Sequence, residues 1–380
     1  MQDFIVRTSR QPAPLYYQGL PVNQKLALPD GITLLATAGK GLVALDREGR
    51  ELYVLSEQNG LCNNNVNQIY ADSLGYVWGA TDQGLFLVDV HSSYTRFAET
   101  EGLLGEVQSV CHVDGRLLVG TLQGIYEKVG AKFQPVGDIH YACWQLQPDK
   151  DGQVYAATAG GLFRIRAGQV AQLSSAHTLS CFINPDGSCY AGEVDGIYYI
   201  GTRARTLCNK VEKATHFYQD SEGTLLVRNI YGQVFRLSED KKEYIFVVPK
   251  SASGAEARYN NTLYQQGGHL YVQSHVGLFE WDAASQSLVE KPEMSGWLAE
   301  ASYPQFVYPE GERLWFTNNE GKALRVYDPA ASSEGLSRWN ELLYPVHHLP
   351  VLAMDIEGEN IWLGGSFGLL HSRWNQQEPD

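Results

Sequence analysis

The stretch Gly75-Tyr-Val-Trp-Gly-Ala-Thr-Asp-Gln-Gly84-Leu-Phe-Leu-Val-Asp89 reads as two apolar strands, each opened by a glycine. The first glycine follows Asp72-Ser73-Leu74, a hairpin signal, because glycine takes positive φ without steric cost. The strand Val77-Trp78 is apolar on both faces, so both faces are expected to be covered. The pattern recurs at Gly115-Arg-Leu-Leu-Val-Gly-Thr-Leu-Gln-Gly124 and at Gly152-Gln-Val-Tyr-Ala-Ala-Thr-Ala-Gly-Gly161. Weaker copies run from Gly187 to Gly196, Gly223 to Gly232 and Gly268 to Gly277. Slightly longer ones run from Gly31 to Gly41, Gly311 to Gly321 and Gly358 to Gly368.

Nine copies at a mean spacing of about 41 residues have the period of a four-stranded propeller blade. The expected fold is all-β: one closed β-propeller over residues 1–380, with nine repeat units and seven or eight full blades as the alternative. The units fall near 20–58, 59–99, 100–136, 137–174, 175–210, 211–248, 249–290, 291–340 and 341–380. In the second unit the expected strands are Val66 to Ala71, Tyr76 to Thr81, Leu85 to Asp89 and an outer Tyr94 to Phe97. The ninth unit lacks an outer strand, and the N-terminal strand within 14–18, Leu15 to Tyr17, is expected to complete it and close the ring.

Length and composition agree. At 380 residues the chain exceeds one ordinary core, and a repeat architecture grows unit by unit. Glycine (38) and proline (15) are too frequent for a helical bundle, and 11% aromatic with 19% charged residues is too apolar for disorder. Lys plus Arg is 29 against 43 Asp plus Glu, a net charge of −14 without a basic run, which weighs against nucleic acid and anionic membrane surfaces. No apolar stretch reaches 18 residues, and Met1-Gln2-Asp3-Phe4 does not open a signal peptide. The six cysteines form no C-x-x-C pair. Cys181 and Cys189 flank the turn Pro185-Asp186-Gly187 and either face each other across a hairpin or are buried thiols.

The unit resembles the two-component regulator propeller repeat. Gly60-Leu61, Val66, Asp72-Ser73-Leu74-Gly75, Trp78, Thr81 and Gly84-Leu85 match that repeat, whereas units five and six carry Glu193 and Asn229 at its Thr position. The resemblance implies a periplasmic or extracellular sensor propeller of Bacteroidetes-type regulators, which sense glycans. It also implies two seven-bladed propellers, a small β-sandwich and a membrane-linked output part in larger members. None of the additional parts is recognised in these 380 residues, so an excised sensor domain or a stand-alone relative is expected.

Several motifs have plainer readings. Gly364-Gly365-Ser366-Phe367-Gly368 fits a nucleophile elbow but falls where a blade loop is due. Asp149-Lys150-Asp151-Gly152 is a turn, without the further ligands of a calcium loop. Trp78, Trp315 and Trp362 share one strand position and are read as packing between blades. The aromatic and polar residues that depart from the repeat are the candidate ligand-binding set: His140, Tyr141, Trp144, Arg258, Tyr259, Trp297, His347 and His348. They lie on links from outer to inner strands, expected at one mouth of the ring. No catalytic residue, metal site or cofactor is assigned. The expected function is non-enzymatic sensing of a small-molecule or glycan ligand, or binding of another protein domain. The alternatives are a propeller-scaffold enzyme, lyase or glycoside-active, using groups such as Glu193, Asp195 and His275, or a structural scaffold of an envelope complex.

Overall fold

The structure is a computed structural model. It describes residues 14–373 except 60, 73–74, 91–93, 202–203, 292–305, 318–323, 329–342, 344–345 and 347–348. Strands dominate, and among the described residues they form nine antiparallel sheets. Each repeat gives one sheet in which consecutive strands are neighbours. In chain order the sheets span 15–55, 66–89, 107–135, 143–174, 178–209, 214–247, 262–290, 307–327 and 351–373.

The motif residues earn their places through local bonding. The first glycine of every repeat, from Gly31 to Gly358, has positive φ. Asp149 Oδ1 accepts from the backbone N–H of Asp151 and Gln153, and Gly152 N–H donates to Asp149 O, which closes the acidic turn. At the other strand end Thr158 Oγ1 donates to Gly161 O at 2.8 Å and accepts from Gly160 N–H. Thr37, Thr81, Thr121 and Ser274 make the same pair of bonds. At Thr37, Thr121 and Thr158 the bond to the turn carbonyl is buried, where no water could take its place. Gly161 has φ +129, and a Cβ on it would lie 1.9 Å from Ser174 O, so the outer strand passes too close for any side chain.

The chain divides into two compact units, Met1–Ser93 and Tyr94–Asp380. In the first, Leu34, Ala36 and Leu42 of the first sheet share a core with Val66, Ile69 and Val77 of the second. Leu15–Tyr17 does not close the last sheet. It turns back on Leu20–Ala27, with Leu15 opposite Val22, and makes the first sheet five-stranded. A two-residue turn at Gln18-Gly19, both with positive φ, makes this local hairpin the shorter closure. The second sheet keeps three strands, and its face bearing Tyr70, Trp78, Leu85 and Leu87 is exposed. Trp78 is therefore not packed between sheets as expected, whereas Trp315 and Trp362 are.

In the second unit each sheet shares a buried core with the next. Leu118 packs with Leu146 and Val154, and Tyr155 with Cys181 and Ala191. Ile197 packs with Leu225, and Leu226 with Leu263 and Val272. Tyr264 joins Leu314, and Trp315 joins Met354 and Ile361. The series returns on itself, since Trp362 and Leu369 of the ninth sheet pack with Val107 and Val119 of the third. The ninth sheet takes Tyr94–Phe97 as its outer strand, the segment expected in the second sheet. Arg96 Nε donates to Phe367 O at 2.7 Å, and Phe97 packs on Phe133 and Trp362. All six cysteines are free thiols. Cys181 lies opposite Ala191 and Cys189 opposite Ile183, both buried, so the hairpin does not bring the two sulfurs face to face.

His371, on the strand next to Tyr94–Phe97, stacks on Trp362 with ring centroids 4.2 Å apart, and its Nε2 meets Asn360 Oδ1. Burial, then the charges of Lys128 and Arg373, push its pKa down from 6.5 to about 4. The unfolded chain thus binds the extra proton between those values. This contribution is full above pH 6.5 and lost as pH falls toward 4, on the order of 2 kcal/mol. Denaturant unfolding at pH 7 and pH 4.5 checks it: His371→Asn should flatten the acid loss, and an unchanged pH slope would refute the assignment.

Candidate functional site

Register shows which loops share an end of the sheets. In the third to sixth sheets the first residue of the inner strand lies opposite the residue at the Thr position of the next strand: Val107 with Thr121, Cys143 with Thr158, Thr178 with Glu193, Ala214 with Asn229. The links that enter the inner strands therefore share an end with the Thr-x-x-Gly turns. Backbone bonds pin them together. Ala159 N–H donates to Ala142 O, Ile230 N–H to Lys213 O, and Asn260 N–H to Tyr231 O.

Five of the eight expected site residues are described, in two groups. Over the fourth sheet, Tyr141 is half exposed and stacks on Phe163 above Gly160, where a Cβ would strike its ring. His140 Nε2 lies 2.8 Å from Asp138 Oδ1, with both side chains largely exposed. Trp144 donates its indole N–H to His177 Nε2 at 3.2 Å, and the two rings stack. Over the sixth and seventh sheets, Tyr259 is 55% exposed and its neighbour Asn260 is bonded to Tyr231. Lys213 Nζ donates to the Tyr231 hydroxyl at 3.2 Å. Arg258 pairs with Glu256 at 3.0 Å on the surface. Trp297, His347 and His348 lie outside the described residues.

His177, Lys213, Ile230 and Tyr231 belong to this end and were not singled out from sequence. Ile230-Tyr231 carried a signal: two large side chains fill a turn that the clearest repeats fill with Asp82-Gln83, Leu122-Gln123 and Ala159-Gly160. Of the groups named for an enzyme, Glu193 is buried and held by Arg205 and Ser174, and Asp195 accepts from the Tyr198 hydroxyl. His275 stands on the turn of the seventh sheet between His269–Ser274 and Gly277–Asp282. Ser366 falls in the turn between Asn360–Gly365 and Gly368–Arg373, so Gly364 to Gly368 is a strand–strand loop.

A cleft of about 560 Å³ opens at the opposite end, where the inner strands run into the acidic turns. Gln147, Asn184, Phe217, Gln219 and Gln265 line it. Amide side chains next to the acidic turns of successive repeats were the available signal for it.

No family model matches the sequence, and no curated protein matches it. Solved structures do. The extracellular domain described for the hybrid two-component system BT3049 of B. thetaiotaomicron matches with a TM-score of 0.60 at 16% identity, over 93% of this chain and 51% of that one. The extracellular domain described for the one-component system BT4673 of B. thetaiotaomicron matches with a TM-score of 0.57 at 15% identity, over 96% of this chain and 53% of that one. A catalytically inactive virginiamycin B lyase from Staphylococcus aureus matches with a TM-score of 0.51 at 15% identity, over 70% of this chain and 94% of that one. The chain spans about half the length of the two extracellular domains. At these identities the likeness is one of fold. Among the described residues no helix is long and apolar enough to cross a membrane.

Proposed function

We propose that this chain is the extracytoplasmic sensor part of a two-component-type regulator, a propeller that binds a glycan or similar small ligand, or another protein domain, without transforming it. In place of one ring of nine, the seven sheets of Tyr94–Asp380 form one closed seven-bladed propeller latched by Tyr94–Phe97. The returning series of shared cores supports that closure. The two sheets before it belong to a further set of blades of the same repeat. The support is that Trp78 is open where Trp315 and Trp362 are covered by a following sheet.

The observation that carries the binding reading is the set of exposed aromatics, Tyr141, Tyr231 and Tyr259, on turns held by backbone hydrogen bonds. Rings fixed in advance lose little entropy on binding, and they bury apolar area while keeping polar edges. The extracellular domains of similar fold favour the sensor reading over an enzyme. Calorimetric titration with a panel of neutral oligosaccharides tests it. Each of Tyr141→Ala, Tyr231→Ala and Tyr259→Ala should weaken a bound sugar by about three- to tenfold. Silence across the panel would sink the glycan reading. Loss of binding only in Gln147→Ala or Gln219→Ala would move the site to the opposite cleft.

A further inference from the structure

In a chain with 43 acidic residues and a net charge of −14, Arg228 has no carboxylate partner among the described residues. It is the penultimate residue of Leu225–Asn229, the second strand of the sixth sheet, which leads into the Ile230-Tyr231 turn. Leu226, two residues earlier, packs toward the seventh sheet, and Arg228 follows it on that face. Its Nε donates to Asn261 O at 2.6 Å, and Nη1 reaches Thr215 Oγ1 at 3.4 Å. Both are neutral acceptors. His216, directly opposite in register, bonds through Nδ1 to Thr215 Oγ1 and stacks on Tyr218. Tyr218 donates its hydroxyl to Leu263 O.

The guanidinium is partly buried, and no carboxylate pairs with it among the described residues. His216 is exposed, and Thr215 and Arg228 beside it are partly buried, so the group borders solvent. Crowding by the protein, and then the Arg228 charge, lower the pKa of His216 from the ordinary histidine value. Burial also holds the Arg228 guanidinium below the ordinary arginine value. A desolvated cation ordinarily comes with a counter-charge, because its lost hydration must be replaced. Guanidinium N–H groups also present a fork matched to a carboxylate or sulfate.

We propose that the surface around Arg228, where the sixth sheet faces the seventh, binds an anionic group, a carboxylate or sulfate on a small molecule, with Arg228 as its principal ligand. His216 and Thr215 line the site, and Tyr218 forms a wall through its stacking on His216. Its ligands do not include the exposed tyrosines, so their alanine variants test the neutral-sugar reading and Arg228 variants test this one.

The test follows the His216 ring signals by NMR while sodium D-glucuronate or sodium sulfate is added, with D-glucose and equal ionic strength of sodium chloride as controls. Saturable shifts of His216 with glucuronate or sulfate, absent with the controls, are expected. His216 should also become easier to protonate on binding, because a bound anion offsets the Arg228 charge. Arg228→Gln should weaken the anion at least tenfold, and Arg228→Lys should restore part of it. His216→Gln, which leaves Arg228 in place, should retain anion binding and keeps the proposal testable if the Arg228 variants unfold. Equal responses to glucuronate and glucose, shifts matched by sodium chloride, or anion affinity unchanged in a folded Arg228→Gln would each overturn it.

Discussion

Trp362→Ala is expected to destabilise the Tyr94–Asp380 unit by about 3–5 kcal/mol, whereas Trp78→Ala should cost the other unit less than about 1 kcal/mol. The two tryptophans hold the same place in their repeats, so sequence alone predicts equal losses. Trp362 is 6% exposed and packs with Phe97, Leu103, Val107 and Leu369. Its removal opens a cavity where the ninth sheet meets both Tyr94–Phe97 and the third sheet, and large-to-small changes in such places carry a transfer and a cavity cost. Trp78 is 46% exposed, and its indole N–H is held by Asp72 at 3.0 Å. Little area returns to water when it is cut back. Trp362→Phe should cost less than Trp362→Ala, because it keeps most of the buried ring area and gives up no hydrogen bond. The Trp362 indole N–H is buried without an acceptor among the described residues, whereas Trp315 donates to Glu310. Urea unfolding followed by circular dichroism, with separate transitions assigned to the two units, gives the comparison. Equal losses at both positions would contradict the packing described.

Arg205→Ala is the second large effect, expected at about 3–5 kcal/mol. Glu193 is 1% exposed and stands where other repeats place Thr. Its carboxylate accepts from Arg205 Nε and Nη2 and from Ser174 Oγ, while Arg205 lies over the Tyr198 ring at 3.7 Å. Removing the arginine leaves a buried carboxylate without its counter-charge. The double variant Glu193→Thr with Arg205→Ala should recover to within about 1 kcal/mol of the parent, since burying an ion pair gains little over a neutral replacement that fits. A threonine at 193 can close the turn on Gly196 O as Thr158 closes on Gly161 O. Denaturant midpoints of the single and double variants decide it. A double variant as unstable as Arg205→Ala would show that the carboxylate does more than hold the arginine.

The repeat was legible because each of its signals has a local cause. Positive φ at the first glycine, the Asp cap and the Thr hydroxyl are all satisfied within a few residues, so a reader of one chain can find them. The candidate site was legible only where residues depart from that repeat. Tyr141, Trp144 and Tyr259 stood out as off-pattern aromatics. Arg228 did not, since it occupies an ordinary strand position and matters only because the facing sheet supplies a carbonyl in place of a carboxylate. The cleft beside Gln147 and Gln219 likewise exists only once several inner-strand ends converge.

By itself the sequence determined nine sheets, their turns and the face on which links and Thr-x-x-Gly turns gather. Tertiary structure alone decided how the sheets are grouped. Tyr94–Phe97 follows the second sheet in the chain yet pairs with Leu369 to Ser372, and Leu15–Tyr17 folds back on its neighbour instead. Any outer strand of suitable alternation can bond to any open edge, because backbone ladders carry no sequence code. The choice rests on side-chain packing: Phe97 between Phe133 and Trp362 for one strand, and the two-residue Gln18-Gly19 turn for the other.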